Sequence, residues 1–283
     1  MMSKDTHAEE HLQAGAWPFV TLRRETRDGR RLLWRARDHR KGLFRHRRAL
    51  EHVRAPAWQT ARYNWIMGLV FVIGASLFMA GSAMALYPKL VSGLPGWTTN
   101  VTFFIGSIPF TTAAYLQLFQ AANADQTAAG SGVRPQLFGW SPESPGWLSA
   151  ATQFVGTVAF NFNTFDAINA PKGWVAQNLA IWTPGMIGSV LFLVSAYLAY
   201  IEVGHAHFSK PRRELGWWIA AINLVGCIAF MIASTLAYVP RHGVSVGLMD
   251  VSNANLWFGA FCFALAAALS MREARHAGDN AAA

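Results

Sequence analysis

The sequence predicts an all-α membrane protein, a six-span transmembrane helical bundle with a small basic N-terminal head in the cytoplasm. Three observations carry this prediction. Only 14% of the residues are charged and 53% are hydrophobic, whereas a soluble domain is typically about 25% charged. The apolar residues gather into six runs, each close to the roughly 20 residues a helix needs to cross the hydrocarbon core. The charge is divided unevenly: residues 1–62 hold 15 Lys/Arg and 7 Asp/Glu, and residues 63–283 hold 9 and 8. The modest mean hydropathy of +0.22 is therefore the average of a polar head and an apolar body.

Three parts follow from this division: a partly flexible basic head at 1–62, a six-helix membrane domain at 63–271, and a flexible tail at 272–283. In the head, Asp28-Gly29 is a favoured two-residue turn between the runs Phe19–Arg24 and Arg31–Arg37, and predicts a short hairpin. Leu43–Val53 reads as a basic helix leading to Pro56. The first apolar run begins only at Tyr63, too late and too long for the apolar part of a signal peptide. The expected spans are Tyr63–Tyr87, Thr99–Ala121, Leu148–Asn169, Ile181–Val203, Leu215–Val239 and Asn255–Met271, the last being the shortest and the third the most polar.

Cytoplasmic segments are enriched in Lys and Arg. Placing the N-terminus in the cytoplasm puts 21 basic residues on that side and only Lys89, Lys172 and Arg241 on the other; leaving out the head, the count is still 6 against 3. Six spans return the C-terminus to the cytoplasm. Trp58, Trp65, Trp97, Trp147, Trp174, Trp182, Trp217 and Trp218 lie near span ends, where indoles favour the headgroup level, and read as interfacial anchors. Cys227 and Cys262 fall inside apolar runs and read as small buried hydrophobes.

Each span repeats one pattern: Gly, Phe four residues on, and a small residue four further. The triplets are Gly74/Phe78/Ser82, Gly106/Phe110/Ala114, Gly156/Phe160/Thr164, Gly188/Phe192/Ala196, Gly226/Phe230/Ser234 and Gly259/Phe263/Ala267. Such spacing follows one ridge of a helix. Small groups on a ridge let a neighbouring backbone approach closely, so the recurrence predicts duplicated helical hairpins. Ridges left exposed would suit a homo-oligomer.

Polar residues inside a span are the default place to look for function. The third span carries Gln153, Thr157, Asn161 and Thr164 in nearly one stripe, with Asp166 toward its outer end, and the fifth adds Asn223. These six residues define a candidate polar intramembrane path. The competing reading spends them on hydrogen bonds between helices, and Asp166 then reaches the solvated interface. Glu202, His205 and His207 are weak metal-ligand candidates at the inner end of the fourth span, because Glu and His at i, i+3 share a helix face. Histidine also suits a helix C-terminus without any metal. The chain holds no Gly-x-Ser-x-Gly, His-Glu-x-x-His or P-loop motif. No catalytic residue and no cofactor are expected.

The membrane body resembles the YrhK-like bacterial membrane proteins, a poorly characterised family. The resemblance lies in Gly156-Thr157-Val158-Ala159-Phe160-Asn161 with Thr164-Phe165, in Trp182-Thr183-Pro184 with Ile187-Gly188-Ser189 and Phe192-Leu193, in Ile222-Asn223-Leu224-Val225-Gly226, and in Arg37-Asp38-His39-Arg40-Lys41 of the head. It spans most of residues 17–271. Two positions depart from the family pattern: Gly185 stands where an acidic residue follows the proline, and Cys227 where serine is usual. The resemblance implies a helical fold in a bacterial inner membrane and no established reaction.

Three functional classes are carried forward. The first, favoured on sequence, is a non-enzymatic structural, lipid-associated or regulatory membrane protein whose basic head lies on anionic lipid headgroups. The second is a small-solute or ion transporter or channel using the third-span path. The third is a membrane metalloprotein or enzyme. Nucleic acid is not an expected partner, since no recognition motif accompanies the basic residues.

Overall fold

The computed structural model describes residues 11–27, 30–43, 54–126, 134–243 and 245–282. Three short strands open it: β1 (His11–Ala14), β2 (Leu22–Arg27) and β3 (Arg30–Arg35), antiparallel in the order β1-β2-β3. Arg27 pairs with Arg30, leaving a two-residue connection at 28 and 29. The sequence gives no sign of β1, whose four residues, HLQA, carry neither β-branched nor aromatic side chains. A short helix, α1 (Ala36–Lys41), follows directly and ends at Gly42 in the left-handed conformation. The expected helix at 43–53 lies outside the described residues beyond Leu43.

Six long helices make the body: α2 (Ala61–Leu86), α3 (Thr98–Ala122), α4 (Pro145–Asp166), α5 (Trp174–Gly204), α6 (Leu215–Leu236) and α7 (Val246–Ala282). Five of them, all but α4, are long and apolar enough to cross a membrane, as in a multi-pass membrane protein. α4 matches α6 in length and differs by its polar stripe. Residues 272–282, expected as a loose tail, continue α7 instead, and Ala274 and Glu273 pack inward there. α5 contains a π-helical stretch at Asn178–Trp182. Pro184 has no N–H to give and its ring crowds the carbonyl four residues back, and one wide turn relieves both.

Each helix packs on its neighbours in sequence, and α7 closes back on α2 to complete a ring of six. The repeated triplets explain how. Within each hairpin the two glycines and two phenylalanines lock reciprocally. A methyl at Gly74 would meet the Phe110 ring at 2.8 Å, one at Gly106 the Phe78 ring at 3.1 Å, one at Gly156 the Phe192 ring at 2.7 Å, and one at Gly226 the Phe263 ring at 2.8 Å. Gly188 faces Phe160 and Gly259 faces Phe230 in the same way. The hairpins α2/α3, α4/α5 and α6/α7 are thus three copies of one packing unit. The residue after each glycine is small and buried as well: Ala75, Ser107, Thr157, Ser189, Cys227 and Ala260.

The six phenylalanines meet on the ring's axis and form the main core, with ring centroids 4.9 Å apart for Phe230 and Phe263 and 5.0 Å for Phe160 and Phe192. Outward, the helices present Ile66, Ile73, Ile105, Val194, Val225 and Ile232. α4 does likewise with Val155, Phe162 and Phe165, while Thr157 and Thr164 face in and are buried.

Candidate functional site

The aromatic cluster divides the interior of the bundle in two. Toward the head lies a cavity of about 130 Å³. Its floor is made by Phe110, Phe192 and Phe263 with Cys227, its walls by Gln117, Ser149, Gln153, Ser195 and Asn223, and its roof by Arg37, Arg40, Lys41 and Glu202. On the far side a second hollow of about 200 Å³ is lined by Asn100, Asn163, Thr164, Gly185, Ser234, Ser252 and Asn253. Between them a space of about 10 Å³ is enclosed by Ser107, Thr157 and five rings, Phe78, Phe110, Phe160, Phe192 and Phe230. One water needs roughly 10–15 Å³ and two or more polar partners; this space is at the lower limit, and the hydroxyls of Ser107 and Thr157 already donate to carbonyls of their own helices, so the rings form a dry septum.

The roof comes from the head. α1 lies across the open end of the ring because its cations find acids there. Arg37 donates from both terminal nitrogens to Glu273, at 2.6 and 2.8 Å. Lys41 donates to the same carboxylate at 2.8 Å and to Ser270 at 3.1 Å. Arg40 donates to Glu202 at 2.7 Å, and both side chains are buried. Gly146, in the first turn of α4, is a close-approach glycine: a side chain there would collide with this pair. Asn64 of α2 donates to the Lys41 carbonyl at 2.9 Å. Farther out, Arg35 donates to the exposed Glu214 at 2.7 Å.

The electrostatics follow from burial. Burial pushes the Lys41 ammonium down to about 8, aided by the nearby Arg37 charge and opposed by Glu273. For Arg37, burial works against the charge, but Glu273 outweighs it and raises the guanidinium further above its usual range. Burial raises the Asp38 carboxyl, with Arg37 and Arg35 pulling the other way.

Of the six path residues, Gln153 and Asn223 line the cavity, Thr157 lies in the septum and Thr164 lines the far hollow. Asn161 turns aside and exchanges hydrogen bonds with Thr111 of α3 at 3.1 and 2.9 Å. Asp166 is half-buried at the far end of α4. The stripe is thus one line through three compartments, interrupted by rings. Thr157 and Thr164 also donate to backbone carbonyls of their own helix.

The metal candidates do not converge. Glu202 takes Arg40, His205 Nδ1 shares a 2.8 Å hydrogen bond with Thr21 of the head, and His207 Nδ1 shares one of 2.7 Å with Tyr197. Burial, then Arg212 and Arg35, pushes His205 down to about 4, so the ring is neutral at pH 7. Among the described residues no group of three or more His, Cys, Asp or Glu could hold a metal ion.

Four of the tryptophans read as interfacial anchors also donate within the protein: Trp58, Trp147 and Trp182 to the carbonyls of Asn123, Phe138 and Ser234, and Trp217 to Ser209. Trp97, Trp174 and Trp218 remain exposed. Sequence reasoning also missed the roof. The available signal was charge placement: Glu202, Glu214 and Glu273 all stand at the helix ends facing a strongly basic head.

Compared with protein-family models, with curated proteins and with solved structures, the chain matches none.

Proposed function

We propose that this chain is a six-span inner-membrane carrier or channel for a small solute, held shut by a phenylalanine septum and roofed by its own cytoplasmic head. The observation that carries this reading is the pair of hollows on either side of one dry constriction, joined by a single polar line, Gln153, Thr157 and Thr164. A purely structural bundle gains nothing from an internal cavity, since empty space forfeits packing. The sixth span is α4. Its exposed face is apolar and its polar groups turn inward, as a lipid-facing wall of a path requires.

The head end is cytoplasmic by the distribution of Lys and Arg. Membership of the YrhK-like bacterial family remains part of this proposal. It is supported by where the resembling residues fall, since Phe160, Phe192, Arg37, Arg40 and Lys41 border the septum or the cavity and Gly188 and Gly226 pack on the rings of Phe160 and Phe263.

The test is to open the septum. Proteoliposomes carrying the Phe160→Ala, Phe230→Ala double variant should leak small ions and polar solutes in a stopped-flow assay, while the unaltered protein stays tight. A folded double variant that leaks no more than the parent contradicts a through-path. A second reading, lipid association, is favoured by the exposed Trp17 in the β1–β2 connection and the exposed Arg23 and Arg24 of β2. It predicts that the head prefers vesicles containing anionic lipid.

A further inference from the structure

We infer that the head-side cavity takes a small amphiphilic monoanion, a carboxylate on a compact apolar body; this rests on the reading of the bundle as a solute carrier. The cavity is polarised along its axis. One end is cationic, with Arg37, Arg40 and Lys41, and the other is aromatic, with Phe110, Phe192 and Phe263.

The cations are unequally satisfied. Glu273 serves both Arg37 and Lys41, and Glu202 serves Arg40 through one terminal nitrogen. Three cations therefore share two carboxylates. Asp38, the remaining acid of α1, does not line the cavity; it stands 3.8 Å from Arg35, borders a separate pocket and also acts on Arg37 through its charge. Arg40 is 8% exposed, and the Nε and Nη2 edge of its guanidinium lies against Gly146 and the Glu202 carboxylate. A ligand carboxylate in the cavity meets the other guanidinium and ammonium donors of the roof, and charge-assisted hydrogen bonds favour an anion there over a neutral group.

The aromatic floor offers the rest of such a ligand only apolar surface, where a short hydrocarbon body is favoured and a hydrated ion is not. Size narrows the class further. A cavity of roughly 150 Å³ holds one benzene-sized molecule, and this one is about 130 Å³. A nucleotide or a sugar phosphate does not fit. A cation would face the guanidinium and ammonium charges of the roof.

The native Cys227 thiol lines the floor and reports occupancy. Full-length protein carrying Cys262→Ala is treated in detergent with the small neutral reagent methyl methanethiosulfonate, which converts the thiol to its methyl disulfide with release of methanesulfinate, in the presence of butyrate, benzoate, butanol or butylammonium. Butyrate and benzoate should slow the reaction, by about tenfold at ten times the dissociation constant, while butanol and butylammonium leave it unchanged. Arg40→Gln should abolish the protection without abolishing the thiol's reaction. Because that variant also unbalances Glu202, the comparison of the four probes in the protein that keeps Arg40 decides the matter by itself. Equal protection by butanol or butylammonium, or reaction at Cys227 that no carboxylate slows, overturns the inference and leaves the carrier reading standing. A thiol that reacts only after unfolding removes the carrier reading and the inference with it.

Discussion

Replacing Glu273 with Gln should release the head from the bundle. The carboxylate accepts three charge-assisted hydrogen bonds, two from Arg37 and one from Lys41. The side chains involved are only 12%, 6% and 13% exposed for Arg37, Lys41 and Glu273, so water screens them little. Removing one partner of a buried ion pair typically costs about 3–5 kcal/mol, because the other charge is left behind. The penalty disappears if α1 lifts away and the two cations reach water. At about 1.4 kcal/mol per factor of ten, the undocked fraction should rise by roughly two to four orders of magnitude. Trypsin cleavage after Lys41, followed by mass spectrometry, reads that fraction directly, since cleavage of a transiently opened segment tracks its population. Glu214→Gln is the control. Its bond to Arg35 is equally short, but Glu214 is 42% exposed, and such pairs are worth about 0–1 kcal/mol. If the two variants are cut at the same rate, the ion pairs are not what holds the head, and the reasoning fails.

Gly156→Val should drive α4 and α5 apart, because its first carbon already meets the Phe192 ring at 2.7 Å and the Gly188 carbonyl at 3.2 Å. Thermal unfolding in detergent should show a loss of at least the roughly 1–3 kcal/mol typical of overpacking, whereas Gly247→Ala, with nothing nearby, should be neutral. Asn161→Leu removes the exchange with Thr111 and should cost about 0.6–1.7 kcal/mol in the same assay. His205 is held down to about 4 in the folded chain, below its ordinary 6.5. The folded state therefore binds fewer protons across that window, and its stability is complete above about pH 6.5 and falls as pH drops toward 4. His205→Asn should flatten the unfolding midpoint over that range; Asn tolerates the left-handed backbone at this position (φ 54°). An unchanged acid slope would assign the loss to another group.

Much of the bundle was legible because bilayers leave a helix few choices. The apolar runs, the Gly-Phe-small ridge and the basic bias of one side are local patterns in the chain, and they anticipate close-packed hairpins. Three copies closing a ring around six rings of phenylalanine could not be read locally, since Phe78 and Phe230 are far apart in sequence and meet only on the axis. Helix limits were read poorly where polar residues continue a helix beyond the hydrocarbon: α7, expected to be the shortest, runs from Val246 to Ala282, and Glu273, past the expected end, pairs with Arg37 of the head. The path residues illustrate both outcomes. Gln153 and Asn223 face a cavity, whereas Asn161, on the same stripe, is spent on Thr111. Basic residues of the head were read as a coat for lipid, yet Arg35, Arg37, Arg40 and Lys41 bond to acids of the bundle. Ion pairing across more than 150 residues has no local signature.

The central claim is that one dry septum separates two hollows, and two-sided thiol accessibility tests it most directly. With Cys227 and Cys262 replaced by Ala, single cysteines at 153, 157 and 164 are probed with an impermeant reagent in oriented vesicles. Position 153 should react only from the side of the head, 164 only from the opposite side, and 157 from neither. Reaction at 157 from both sides would mean an open water-filled path, and silence at all three would mean a sealed bundle with no cavity that a solute can reach.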